Sequence, residues 1–183
     1  MVEVSYAVQT QVSRADGERL WPVYDQVFGD QPDAGAWLEQ TWDRHARRHS
    51  FRLGLASIGG RPVAFGWWYL GERGQLWTDR ISETLAPPDV SAWVCVHFEI
   101  VSLGVVPAVR RHGVGRRLLR RIQDAAPSDR LLLQTTDDED DPARRLYESE
   151  GWGVLGPGAS DGTVVMGWRR ADAPERRGSR TRG

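Results

Sequence analysis

The chain has 183 residues, 40% of them hydrophobic and 27% charged, with a formal net charge of −1. That length and balance suit one soluble globular domain and argue against a nucleic-acid binder held by a global basic field. No apolar run approaches the roughly 20 residues that cross a bilayer, the first residues do not read as a secretory signal, and the single cysteine, Cys95, excludes an internal disulfide framework, so a cytoplasmic location is expected.

Residues 2–8 alternate and predict a first strand. Ser13-x-x-Asp16 offers a helix start, after which Leu20, Trp21, Tyr24, Val27 and Phe28 share one helical face. Pro22 must lie in the first turn or kink that helix. A second helix is expected through Trp37, Leu38, Thr41, Trp42, His45 and His49. A hairpin follows, with strands at 51–57 and 62–70 about a Gly59-Gly60 turn. Residues 71–91 contain Gly74, Pro87 and Pro88 and read as irregular; a connection that long in a compact domain is usually functional or mobile. Residues 93–106 predict a long strand, and Cys95 within it reads as core rather than as a reactive thiol. A helix at 113–126 buries Val114, Leu118, Leu119, Ile122 and Ala125, and 131–135 is a buried strand. Asp141 can cap a further helix, Pro142 suits its first turn and Gly151 its exit. Short strands around Val154 and at 163–168, joined through Gly156-Pro157-Gly158, close the domain. One domain over 1–170 and a disordered arginine-rich tail over 171–183 are expected.

The chemical signal is concentrated in Leu103-Gly104-Val105-Val106-Pro107 and the basic turn Arg110-Arg111-His112-Gly113-Val114-Gly115-Arg116. An apolar strand runs into a proline, a glycine-punctuated turn and a new amphipathic helix. Glycines there allow close backbone approach, and successive N–H groups at a helix start form an anion-binding concavity suited to a diphosphate. The nucleotide P-loop is excluded, because no Gly-Lys-Ser/Thr occurs, and Leu118 breaks a dinucleotide fingerprint. Gly151-Trp152-Gly153-Val154-Leu155-Gly156 matches G-x-G-x-x-G literally, but it follows a helix and leads into a proline turn, the reverse of the required context.

Arg110-x-x-Gly113-x-Gly115 resembles the R/Q-x-x-G-x-G/A signature of the GNAT N-acetyltransferases, and Leu-x-Val-x-Pro before it fits the same family. A second block, Asp140-Asp141-Pro142-Ala143-Arg144-Arg145-Leu146-Tyr147-Glu148-Ser149-Glu150-Gly151-Trp152, resembles the family's N-x-x-A-x-x-L-Y-x-x-x-G-F segment, with Asp140 at the usual asparagine. The resemblance implies an α/β fold, a mixed twisted sheet of about six to seven strands flanked by helices, with two strands splayed apart near Val105 and Thr135. It implies acetyl-CoA as co-substrate and no metal. Cofactor contacts would come from Leu103, Gly104, Val105, Arg110, Arg111, His112, Gly113, Val114, Gly115, Arg116, Asp140 and Tyr147.

Tyr147 would protonate the departing thiolate. A protonated amine cannot attack, so a base is needed. Glu99 resembles the base of the histone-acetyltransferase branch, and strict alternation would set it on one strand face with Val101, Leu103 and Val105; His97 is the alternative base. The acceptor is then a small-molecule or peptide amine, with neither nucleic acid nor membrane as partner. Trp67, Trp68, Trp77 and Trp93 fall where the family builds its acceptor pocket, though each reads individually as core. Exposed tryptophans would favour a homodimer. His45 and His49 read as a polar helix face rather than as a metal pair. A non-catalytic acyl-CoA sensor is the alternative to an enzyme.

Overall fold

The computed structural model describes residues 3–170, so the expectation for the tail at 171–183 lies outside the described residues. A seven-stranded mixed sheet runs in the order β1-β2-β3-β4-β5-β7-β6. Its strands are β1 (Val4–Gln9), β2 (Arg52–Ile58), β3 (Arg61–Leu70), β4 (Phe98–Val105), β5 (Arg130–Thr136), β6 (Gly153–Pro157) and β7 (Thr163–Arg169). Only the β4–β5 pair is parallel, and helix α6 (Val114–Ala125) makes the crossover such a pair requires.

The sheet is covered on both faces. On one, Leu118, Leu119 and Ile122 of α6 pack with Trp68, Phe98, Ile100, Leu131 and Met166, joined by Tyr147 of α7 (Pro142–Ser149). On the other, two cores lie side by side. The first joins α1 (Arg14–Val27) to Phe65, Trp67 and Tyr69. The second sets Ile81 of α4 (Leu76–Thr84) and Val90 of α5 (Pro87–Trp93) over Leu132 and Val165.

Three expectations are corrected. Residues 71–91 are not irregular: they hold α4 and most of α5, and Pro87 occupies the helix-opening position where its missing N–H costs nothing. The strand expected from 93 begins only at Phe98, because Val94–Val96 form a 3-10 turn; the side chain of Cys95 lies outside the described set. The helix expected through His49 is broken into α2 (Ala34–Trp37), a π-turn at Leu38–Trp42 and α3 (Asp43–Ala46). Widening that turn puts Trp37 and Trp42, five residues apart, in one buried contact with ring centroids 5.8 Å apart. Pro22 lies inside α1, beyond its first turn.

Candidate active site

The β4–β5 pairing stops almost where it starts. Phe98 pairs with Leu131 and Glu99 with Leu132, and β5 thereafter pairs only with β7. From there to Val105 one edge of β4 faces a gap. The Val106 N–H donates to the Val63 carbonyl of β3 at 2.9 Å, so by alternation the Val105 N–H points away from β3, into that gap. The expected splay is present.

The basic turn lies at the end of this edge. Arg111 and Gly113 adopt left-handed backbone, with φ of 67° and 76°. Strain of that kind at a non-glycine residue is retained where the surrounding structure enforces it. The first hydrogen bond of α6 runs from the Arg117 N–H to the Gly113 carbonyl at 3.0 Å, so the N–H groups of Val114, Gly115 and Arg116 have no intrahelical partner. A Cβ on Gly115 would stand 3.1 Å from Val105 Cγ2, so glycine lets this helix start lie against the end of β4. Three open amides and a helix dipole beside an unpaired strand edge form a cradle that fits a diphosphate continuing into an extended, amide-bearing arm.

The side chains of the turn do other work than the sequence implies. Arg110 Nε donates to the Val105 carbonyl at 2.9 Å and locks the turn onto β4. His112 Nδ1 lies 2.8 Å from the Arg110 carbonyl. Val114 is buried in the core, leaving only its amide for a ligand. Arg116 reaches Glu150 at 3.2 Å and Ser149 Oγ at 3.2 Å, and Arg120 holds the same carboxylate at 2.6 Å. Glu150 thus ties α6 to the end of α7, a role the sequence did not signal. Gly104 is glycine for packing, since a Cβ there would meet the Phe65 ring at 2.8 Å and Val27 at 2.9 Å. Asp140 is exposed and ion-paired with Arg145.

Tyr147 is buried beside Trp152, with ring centroids 6.0 Å apart. Burial, then the Asp141 charge, pushes its phenol up to about 12. It therefore stays protonated at neutral pH, which suits a proton donor.

Glu99 lies on the opposite face. The alternation that would group it with Leu103 and Val105 fails, because β4 carries an extra residue: Trp67 pairs with Ser102 but Trp68 with Ile100. This bulge leaves Glu99 and Val101 on the side of Tyr69 and Trp67, and turns Leu103 and Val105 to the side of α6. Glu99 is only 5% exposed, where the two cores of that face meet, and its Oε2 has no partner. Burial pushes its carboxyl up to about 7, against the opposing pulls of the Arg48 charge and the Tyr69 hydroxyl.

His97 is fully buried two residues earlier, with Nδ1 2.8 Å from the Val94 carbonyl. Because that carbonyl can only accept, Nδ1 carries the proton and Nε2 is bare and unpartnered. Burial pushes this ring down to about 4, so it is neutral at pH 7. Its ring lies on Gly71, where a Cβ would stand 2.0 Å from Nε2.

Trp67 and Trp68 are core on opposite faces, and Trp77 donates to Gln134 Oε1 at 3.0 Å. None of the nine tryptophans is exposed, which removes the reason given for a homodimer. His45 is not on a solvated helix face: it stacks on Tyr69, while His49 lies beyond α3 near Glu72. Among the described residues no group of three or more His, Cys, Asp or Glu could hold a metal, and no helix is long and apolar enough to cross a membrane.

Residues 18–152 match the model of the acetyltransferase (GNAT) family. The chain is 32% identical over 147 residues to the N-alpha-acetyltransferase RimI of Mycobacterium tuberculosis, covering 79% of this chain and 77% of that protein. In fold it is similar to the ribosomal-protein-S18-alanine N-acetyltransferase from Escherichia coli, with a TM-score of 0.61 and 16% identity over 94% of this chain and 98% of the other. It is also similar to the aminoglycoside N-acetyltransferase AAC(6')-Iy solved in complex with CoA, with a TM-score of 0.57 and 12% identity over 82% of this chain and 88% of the other. Signature turn, divided sheet and family match agree: the chain belongs to the GNAT acetyltransferase family and is an N-acetyltransferase.

Proposed function

We propose that this enzyme moves the acetyl group of acetyl-CoA directly to the α-amino group of a peptide, with Glu99 as base and Tyr147 as acid. The observation that carries the reading is the bulged, half-unpaired strand β4. It presents Glu99 on one face of the sheet while its open edge leads to the free amides of α6. CoA supplies the thioester. The amides of Val114, Gly115 and Arg116 would hold its diphosphate, and the Val105 N–H would stabilise the oxyanion. Glu99 takes one proton of the ammonium; Tyr147 donates its proton to the leaving sulfur as the C–S bond breaks and is restored by the second proton that the newly acylated nitrogen sheds.

Two considerations favour an α-amine. A base near pH 7 is matched to α-amines, which titrate near ~8, far better than to lysine side chains near ~10.4. The M. tuberculosis relative is named an N-alpha-acetyltransferase. The test is thiol release from acetyl-CoA with three acceptors: a peptide with a free N-terminus, an N-blocked peptide bearing one lysine, and an aminoglycoside. Faster release with the first supports the reading. Preference for either of the others overturns the acceptor class, and CoA binding without release on any amine overturns catalysis in favour of a sensor.

A further inference from the structure

The mechanism leaves Glu99 holding a proton in a site with little solvent contact, and each turnover must clear it. The residues facing Glu99 offer a path. Tyr69 stands directly opposite Glu99 in the β3–β4 register, so the two side chains share one face of the sheet as a cross-strand pair, and the hydroxyl is near enough to lower the carboxyl. On its other side that hydroxyl lies 3.1 Å from His45 Nδ1. The imidazole stacks on the phenol with ring centroids 5.7 Å apart and planes 21° apart, and it also packs against Trp67 at 6.0 Å. His45 is half-buried at the end of α3, so its ring leads from the buried carboxylate towards solvent. Nothing in packing requires a histidine at this stack, since a phenyl ring would fill the same place.

We propose that Tyr69 and His45 relay to solvent the proton that Glu99 takes from the acceptor amine, an inference that rests on Glu99 being the base. The balance closes. Glu99 gains the proton as an amine N–H bond breaks. Its O–H proton passes to the Tyr69 oxygen as Tyr69's own proton passes to His45 Nδ1. Glu99 returns to carboxylate and Tyr69 to phenol, and the imidazolium loses a ring proton to water. This is the one net proton of the reaction, because the other goes to sulfur through Tyr147. The charged and titratable groups acting on the path are Arg44 and Arg48 beside His45, Tyr69 on β3 and Glu99 on β4. Burial and the two arginines push His45 down to about 4, so an imidazolium formed there sheds its proton at once.

The experiment uses the full chain with saturating acetyl-CoA and a peptide acceptor. His45→Phe keeps the stack and removes the nitrogen; Tyr69→Phe keeps the ring and removes the hydroxyl. Each is expected to lower kcat about 10-fold or more with KM for acetyl-CoA within about twofold. In Tyr69→Phe the acid limb of the pH–rate profile moves to higher pH, because the hydroxyl that lowers the Glu99 carboxyl is gone. In His45→Ala added imidazole restores turnover, rising with the free-base concentration. Native kcat in His45→Phe, or a loss in His45→Ala that imidazole leaves untouched, overturns the relay. Glu99→Gln separates the two layers. If it is inactive while the Tyr69 and His45 variants are native, only the relay fails; if it is active, the base assignment fails as well.

Discussion

As the proposed base, Glu99 would link activity to stability, and Glu99→Gln reads both. Its carboxyl ordinarily titrates near 4.5 and is pushed up to about 7 in the fold, chiefly by burial. A raised folded value means that the folded protein holds this proton more tightly than the unfolded chain. The group's contribution is therefore fully present below about pH 4.5, is eroded as the pH rises, and has gone once the pH passes about 7. At about 1.4 kcal/mol per pH unit the erosion amounts to about 3 kcal/mol. Glutamine has nearly the same shape and never ionises. Urea unfolding followed by tryptophan fluorescence should show Glu99→Gln more stable than the native chain by about 3 kcal/mol at pH 8.5 and nearly equal to it at pH 4.5. The same substitution should abolish thiol release. An equal stability difference at both pH values would refute the argument that Glu99 is a desolvated base, whatever happens to activity.

Four further outcomes are expected. Tyr147→Phe should lower kcat about 10- to 100-fold with little change in CoA affinity by calorimetry; unchanged turnover removes the phenol from the chemistry. Gly113→Val forces a β-branched residue to φ near 76° with nothing within 4 Å to clash, so it should weaken CoA binding about 10-fold by distorting the cradle alone. Gly59→Val, equally left-handed but in the β2–β3 turn, should leave CoA affinity unchanged, and equal losses in both would sink the loop assignment. Gly71→Ala puts a methyl 2.0 Å from His97 Nε2 and should cost about 1–3 kcal/mol, visible as a lower melting temperature; an unshifted melt would mean that the His97 ring does not lie on Gly71.

What the sequence made legible was local. The strand, turn and helix from Leu103 to Leu119 carry their geometry in consecutive residues, and the expected splay and open amides are present. Hydrophobic patterning likewise located β2, β3, β5 and α6 to within a few residues. The failures share a cause, which is dependence on a distant partner. Pro87-Pro88 punctuates a loop and opens a helix equally well, and only packing of Ile81 and Leu85 over Leu132 decides for helices. Val94-Cys95-Val96 is apolar enough for a strand, yet the run is too short for periodicity to separate strand from turn. The β4 bulge is set by which residue of β3 each partner meets, and no reading of β4 alone contains it. Tyr69 and His45 escaped for the same reason. They lie 24 positions apart, and their meeting depends on how α3 lies on β3.

The single extra residue in β4 also divides labour within one strand. Before it, the side facing α1 and α4 carries Glu99, the proposed base; after it, the side facing α6 carries Leu103 and Val105, the proposed floor of the carrier's berth. Helices on the first side can be resculpted to admit a different nucleophile while the grip on the thioester stays intact. Deleting one residue from the bulge would swing Glu99 to the wrong side of the sheet relative to the carrier, disabling the enzyme without removing a single reactive group.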